Sequence, residues 1–160
     1  MRMSDFVVKD SIIPRLTAVT KEGVIREMVE GLRNAGQFRG ADPEDIIRAI
    51  LKRELLGSTG IGRGVAIPHT KHASVDRLIG TVGISRGGVV FESLDGEPVH
   101  VFVMLISPQE RPGDHLRALE NVSRCLRDDN FVRSLRQATT PQQVWDLLGR
   151  HDNHPVGPSA

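Results

Sequence analysis

A short, strongly apolar segment near residue 100 constrains the fold of this chain more than any other feature. Residues 101–106 form the longest uninterrupted apolar run, and Val99 extends the apolar pattern upstream. A run of this length is too short for a membrane helix, which needs about 20 apolar residues, but it suits a strand buried on both faces. Asp95-Gly96 supplies a turn just before the segment. We therefore predict that residues 99–106 form the buried central strand of a sheet.

Two amphipathic helices are predicted before this strand. Between residues 21 and 38, apolar side chains recur at the spacing of one helix face, and Gly36 is a suitable residue to end the helix. Asp42 is a typical N-cap for a second helix, since Pro43 and two acidic residues follow it. This helix is predicted to end near Leu56, because the glycine-rich segment 57–64 does not propagate a helix at low cost.

Further strands are predicted between the glycine-rich segment and the central strand. Residues 65–67 form a short strand that ends at a proline, and residues 78–85 form a second strand before a turn at Gly87-Gly88. Residues 89–91 are a further candidate strand. Strands therefore occupy the middle of the chain, with helices before them.

Three helical segments are predicted after the central strand and an exposed loop at residues 108–113. Asp114 is predicted to cap the first helix, and residues 130–138 and 141–148 form two shorter ones. Helices at both ends flank a central group of strands, which predicts one α/β domain over residues 1–148. Residues 149–160 are predicted to be a disordered tail.

Composition and charge exclude several classes of protein. The chain has 160 residues, and its 21 basic and 20 acidic side chains leave a net charge of +1. It therefore lacks the basic excess that is typical of nucleic-acid-binding proteins. The N-terminus lacks the apolar stretch of a signal peptide, which predicts a cytoplasmic protein without membrane insertion. The single Cys125 rules out an internal disulfide and is predicted to be an inert, semi-buried thiol.

His69 is the strongest candidate for a reactive side chain. It follows a predicted strand, a proline and the glycine-rich segment, so that a rigid scaffold presents its ring to solvent. Neutral imidazole is a good nucleophile and can accept a phosphoryl group. The product would carry almost two negative charges, and Arg53 at the end of the second helix is a candidate cation for them. A surface histidine and a solvated helix-end arginine are the structural alternatives.

Two other kinds of site, a zinc site and a nucleotide-binding loop, match parts of the same sequence. His69 and His72 have a spacing that can hold zinc, with Asp76, His100 or His115 as a third ligand, but no glutamate occupies the general-base position. The glycines of residues 60–64 follow a helix and precede a strand, which is the reverse of the order in a dinucleotide loop. The sequence therefore predicts no metal and no cofactor, and a zinc-dependent hydrolase is a remote alternative.

Two segments carry a resemblance to a known family. These are KRELLGSTGIGRGVAIPHTKH and SLDGEPVHVFVMLISPQERPGDHLRALENVSRCLRDDNF. They resemble the active-site signature and the following strand, loop and helix of enzyme IIA of the bacterial phosphoenolpyruvate-dependent phosphotransferase system, of the fructose, mannitol and nitrogen-regulatory class. The similarity spans residues 5–148.

The resemblance implies a fold, an activity and a set of site residues. The fold would be a three-layer α/β/α sandwich around a mixed, mainly parallel sheet. His69 would accept phosphate on Nε2 from a phosphorylated histidine carrier protein and pass it onward. Arg53 would steady the phosphoryl group, and His115 would line the site and donate a hydrogen bond to it, most strongly when protonated.

The next step in the transfer is open at this stage. The acceptor is either a sugar-specific component or a regulatory protein, and the absence of a fused transport domain slightly favours the nitrogen-regulatory type. The alternative is a non-catalytic binding module that is switched by phosphorylation of His69. The helix end, the glycine-rich segment and residues 108–113 are predicted to rim the docking surface, and an unidentified acceptor is predicted to hold the Nδ1 hydrogen of His69.

Overall fold

A computed structural model describes residues 1–153, which form a five-stranded sheet between two layers of helices. The helices are α1 (Met3–Phe6), α2 (Lys21–Asn34), α3 (Pro43–Leu55), α4 (Pro112–Cys125), α5 (Asp129–Gln137) and α6 (Pro141–Asn153), with a short 3-10 helix at Lys9–Ser11. The strands are β1 (Gly60–Gly62), β2 (Val65–Ala66), β3 (His69–His72), β4 (Ile79–Val89) and β5 (Val99–Pro108). None of the helices within the described residues combines the length and the apolar character needed to span a membrane.

Strand β5 is the centre of the sheet, as its apolar sequence predicts. Strands β2 and β3 both pair with one edge of β5 in parallel, and β4 pairs with the other edge in antiparallel orientation. Strand β1 forms an antiparallel hairpin with β2. The outer edge of β4 makes parallel bridges to Val7 and Ile13. The predicted α/β sandwich with a mixed, mainly parallel sheet is confirmed.

Alternation along β5 divides the core into two halves. Val101, Val103 and Leu105 pack in the half that also contains side chains of α1, α4, α5 and α6. Phe102 and Met104 pack in the other half, against α2 and α3. Since successive side chains of a strand point to opposite faces, one fully buried strand supports both helical layers.

The predictions for the two helices before the sheet are confirmed. Helix α2 ends at Asn34, and Gly36 adopts a positive φ of 93° just beyond it. Asp42 accepts a hydrogen bond from the backbone of Glu44 at 3.0 Å, as expected for an N-cap with proline in the first turn.

The predicted turn at Gly87-Gly88 is wrong, because β4 continues through these glycines to Val89 with an irregular register after Ile84. A Cβ added at Gly88 would lie 2.9 Å from the ring of His100. The glycine therefore allows a close approach between neighbouring strands rather than a reversal of the chain. The candidate strand at residues 89–91 is accordingly not a separate element.

Two predictions at the C-terminal side also need correction. Asp114 does not cap α4, because the helix begins at Pro112, with Arg111 as an N-cap that makes no side-chain capping bond. The fixed φ of proline suits the first helical position, so the N-cap is Arg111 and the helix begins three residues earlier than predicted. The predicted tail begins at Gly149, but α6 runs through this glycine to Asn153. The rest of that tail, residues 154–160, lies outside the described residues.

Cys125 is buried in the core half that contains α4 to α6, which agrees with the prediction of an inert thiol. Burial raises the pKa of its thiol to about 11. Because the thiolate is the reactive form, this environment suppresses nucleophilic chemistry at Cys125.

Candidate functional site

An open groove of about 640 Å³ collects the three side chains that the sequence singled out. Arg53 comes from the last turn of α3, His69 is the first residue of β3, and His115 lies in the first turn of α4. The other lining residues are Thr70, Lys71, Gln109 and Leu119. The groove therefore lies where the C-terminal end of β5 meets two helix ends, which is a common position for sites in α/β sheets.

An interruption of one sheet edge sets the orientation of His69. Strand β2 ends at Ala66, and Pro68 has no N–H, although its carbonyl accepts from the N–H of Leu105 at 3.0 Å. The carbonyl of Ile67 instead faces the ring of His69, with Nδ1 at 2.7 Å from its oxygen. Because a carbonyl only accepts, Nδ1 carries the hydrogen, and the lone pair of the neutral ring lies on Nε2.

Burial lowers the pKa of His69 below its ordinary value of 6.5. The hydrogen bond to Ile67 and the negative charge of Glu54 oppose this effect, whereas the positive charge of Arg53 adds to it. The ring is therefore neutral at neutral pH, and Nε2 is available as a nucleophile.

His115 lies beside His69, with their ring centroids 5.4 Å apart and their planes inclined by 52°. Its Nδ1 is 2.6 Å from the hydroxyl oxygen of Ser107 at the end of β5. Burial is the main cause that lowers the pKa of His115 to about 4, and repulsion from His69, once its ring is protonated, and from Lys71 contributes. The protonated form of His115, which would donate most strongly, is therefore disfavoured at neutral pH.

Arg53 is half-buried at the end of α3, and its Nη1 donates to the carbonyl oxygen of Gly57 at 2.9 Å. Gly57 is its only hydrogen-bond partner within residues 1–153. The guanidinium has five N–H donors, so most of them remain available to an anion in the groove.

Sequence reasoning missed two groups that orient the rings. The carbonyl of Ile67 was unassigned because nothing in a sequence shows which backbone oxygen turns toward a side chain. Ser107 was missed although it carries a signal, since it is the first polar residue after the apolar run of β5. Lys71 and Gln109 also line the groove without having been singled out.

The zinc alternative finds no support in the position of His72. Residues three apart in a strand point to opposite faces, so His69 and His72 do not converge. The Nδ1 atom of His72 is instead within 2.6 Å of the hydroxyl of Ser74. Within residues 1–153, no three His, Cys, Asp or Glu side chains form a group that could hold a metal ion.

The depressed pKa of His115 predicts a loss of stability in mild acid. Its pKa is about 4 in the folded protein and near 6.5 in the unfolded chain, so the unfolded chain binds more protons between these values. The free energy of unfolding should therefore fall as the pH is lowered from about 6.5 to about 4. Urea denaturation across this range checks the prediction, and His115→Asn should flatten the dependence. A wild-type stability that does not change between pH 6.5 and 4.5 would contradict it.

The fold and the groove define an α/β sandwich protein that presents a neutral histidine beside an arginine. The sequence profile of the family described as "Phosphoenolpyruvate-dependent sugar phosphotransferase system, EIIA 2" matches residues 5–151. The chain belongs to this family, and the resemblance found in its sequence is confirmed.

Named relatives include regulatory and sugar-specific proteins. The "Nitrogen regulatory protein" of Bradyrhizobium diazoefficiens is 32% identical over 148 residues, which cover 92% of this chain and 95% of that protein. The "PTS system fructose-specific EIIABC component" of Bacillus subtilis is 37% identical over 152 residues, which cover 95% of this chain but only 24% of that protein. Among solved structures, nitrogen regulatory protein IIA-Ntr from Neisseria meningitidis matches with a TM-score of 0.81 and 28% identity, over 90% of this chain and 97% of that one.

Proposed function

We propose that this protein is a phosphoryl carrier that accepts phosphate on Nε2 of His69 from a phosphorylated histidine carrier protein. Membership of the EIIA type 2 family supports a role in phosphotransfer. The main support for Nε2 as the accepting atom is the 2.7 Å contact between Nδ1 of His69 and the carbonyl oxygen of Ile67. This contact places the hydrogen on Nδ1, which leaves the lone pair of Nε2 available for attack.

The proposed step exchanges one phosphorus–nitrogen bond for another. Nε2 of His69 attacks phosphorus in line, the bond from phosphorus to the donor imidazole breaks, and its electron pair returns to the donor ring. The hydrogen on Nδ1 of His69 stays in place, held by the carbonyl of Ile67. The protein therefore supplies orientation and charge stabilisation rather than covalent or proton-transfer chemistry.

Two side chains would stabilise the transferred group. Arg53 offers a planar cationic fork to the phosphoryl oxygens. Before phosphate arrives, the lowered pKa of His115 keeps its ring neutral, so it would meet the phosphoryl group as a hydrogen-bond donor. If the hydroxyl of Ser107 donates to Nδ1 of His115, the hydrogen of this ring lies on Nε2 and can be donated to the phosphoryl group.

For the onward step, we favour a regulatory acceptor over a sugar-specific one. The nitrogen regulatory protein of Bradyrhizobium diazoefficiens aligns with this chain over nearly the full length of both. The structure of nitrogen regulatory protein IIA-Ntr from Neisseria meningitidis matches this chain with a TM-score of 0.81, whereas the structure of IIA mannitol from Escherichia coli matches it with a TM-score of 0.72. In a regulatory protein, phosphorylation of His69 would change binding to a partner, with or without onward transfer.

A reconstituted phosphorylation assay tests the proposed function. The protein is mixed with phosphoenolpyruvate, enzyme I and the histidine phosphocarrier, and acid-labile phosphate is located by mass spectrometry. Phosphate on His69 supports the proposal, whereas an unmodified protein beside a fully loaded carrier would refute it. A chase with purified acceptor domains then separates the two onward roles, since rapid loss of label indicates transfer and retention indicates a regulatory switch.

A further inference from the structure

An ion pair joins Lys21 to the buried Glu54 without lining the groove of His69. We propose that Lys21 and Glu54 are positioning residues, which hold the accepting imidazole in place through a chain of backbone and side-chain hydrogen bonds. The inference rests on the proposed function of His69. Among the described residues, Glu54 is the one acidic side chain that is buried.

Glu54 is an acidic residue in an unusual place. It directly follows Arg53 in the last turn of α3, yet only 7% of its surface is exposed. Its Oε1 is 3.0 Å from the ammonium nitrogen of Lys21, whose side chain is 20% exposed. Burying a charge is costly unless it is paired and hydrogen-bonded, so this pair needs further partners.

Thr59 supplies the further partners from the glycine-rich segment. Its backbone N–H donates to Oε1 of Glu54 at 3.1 Å, and its hydroxyl donates to Oε2. The carboxylate therefore ties the segment that leaves α3 back to the end of that helix. Gly57, whose carbonyl holds the guanidinium of Arg53, lies inside the loop closed by these bonds.

The chain of contacts continues from Thr59 to the imidazole. The N–H of Ile67 donates to the carbonyl of Thr59 at 3.0 Å, and the carbonyl of the same Ile67 accepts from Nδ1 of His69. Ile67 is thus held by Thr59 through its backbone N–H, while its carbonyl oxygen fixes the tautomer of His69. A shift of Thr59 would move the carbonyl that orients the ring.

Lys21 breaks a local rule for helix composition, which suggests that its role lies elsewhere. It is the first residue of α2, where a positive charge opposes the helix dipole. Its ammonium instead lies 4.6 Å from the ring centroid of Phe91 and 3.8 Å from the exposed carboxylate of Glu92. Lys21 therefore connects α2, the end of α3 and the segment after β4 at one point.

Glu54 also acts on His69 through its charge. Its negative charge raises the pKa of His69, against the larger effect of burial and in the opposite direction to Arg53. Removing the carboxylate should thus lower the pKa of His69 as well as loosen the ring. A purely structural ion pair elsewhere in the protein would change neither the tautomer nor the pKa of this histidine.

The test uses the full chain with four substitutions and two kinds of readout. Glu54→Gln removes the charge, Thr59→Val removes the hydroxyl, Thr59→Ser restores it, and Glu92→Gln is the matched control, because Glu92 is exposed and only 3.8 Å from the same ammonium. The first readout is the ¹⁵N NMR signature of the His69 ring, which reports tautomer and pKa without phosphate. The second is the rate of phosphoryl transfer from the histidine phosphocarrier.

We expect Glu54→Gln and Thr59→Val to raise the population of the Nε2–H tautomer and to slow transfer about tenfold, since misplacement of a reacting group by about 1 Å can cost up to about 100-fold. Thr59→Ser and Glu92→Gln should behave as wild type. If Glu54→Gln does not fold, Thr59→Val and Thr59→Ser still decide the matter.

An unchanged tautomer together with transfer within twofold of wild type in both disruptive variants would overturn the proposal. So would losses of the same size in Glu92→Gln. If wild-type protein accepts no phosphate, the proposed function fails, and the NMR readout alone then decides whether the Lys21–Glu54 pair positions His69.

Discussion

Replacement of His69 by alanine is expected to abolish the acceptance of phosphate, with a loss of at least about 1,000-fold, because the variant lacks the nucleophilic nitrogen. The fold should be retained, since the ring is only half-buried and lies at the edge of an open groove. Phosphorylation by the loaded histidine phosphocarrier, followed by mass spectrometry of the intact protein, measures this loss.

The control for this substitution is His72→Ala. His72 belongs to the same strand but contacts Ser74 rather than the groove, so its removal should leave acceptance within about twofold. Phosphate found on the His69→Ala variant at a wild-type level would show that another side chain is the acceptor. Loss of acceptance in both variants would point to a defect of β3 rather than to the chemistry of His69.

Arg53→Ala is expected to have the second largest effect, with transfer slowed about 100-fold, because the guanidinium would meet the charge that develops on the phosphoryl oxygens. The free energy of unfolding should change by less than about 0.5 kcal/mol, since Arg53 is half-buried and makes a single hydrogen bond to the described residues. Single-turnover phosphorylation kinetics and urea denaturation of the same preparation provide the two numbers.

Two further variants make this comparison specific. Arg53→Lys keeps a positive charge but loses the planar fork, so we expect a partial loss of transfer. Lys52→Ala removes the neighbouring, exposed charge of α3 and should have almost no effect. If Arg53→Ala reduced folding and transfer in proportion, its role would be structural and its assignment to the phosphoryl group would fail.

Local sequence patterns predicted most of the elements that depend on local physics. The N-cap at Asp42, the end of α2 before Gly36 and the burial of β5 all follow from residues that are adjacent in the chain or repeat along one face. The strand through Gly87-Gly88 was not predictable in this way, because a glycine pair signals a turn unless a neighbouring strand approaches closely. Here that neighbour is His100, which follows 12 residues after Gly88.

In the candidate site, too, some residues could be predicted from the sequence and others could not. His69, Arg53 and His115 could be singled out from their sequence neighbourhoods, and the structure places all three at one groove. The contacts that orient them could not, since Ser107 meets His115 across two elements and Glu54 meets Lys21 across 33 positions of the chain. Such contacts depend on how separate elements pack, which no local pattern records.

The partner of Nδ1 in His69 has a consequence for the energy of the proposed phosphorylated state. An anionic carboxylate at this position would stabilise the imidazolium and make the ring a more basic, poorer leaving group. The neutral carbonyl of Ile67 exerts a weaker pull, so a His69 ring that accepted the phosphoryl group, as proposed, would also be able to release it. A bond made and broken between two similar imidazoles dissipates little free energy. The carbonyl of Ile67 thus favours a phosphohistidine that can pass its phosphoryl group on over one that retains it.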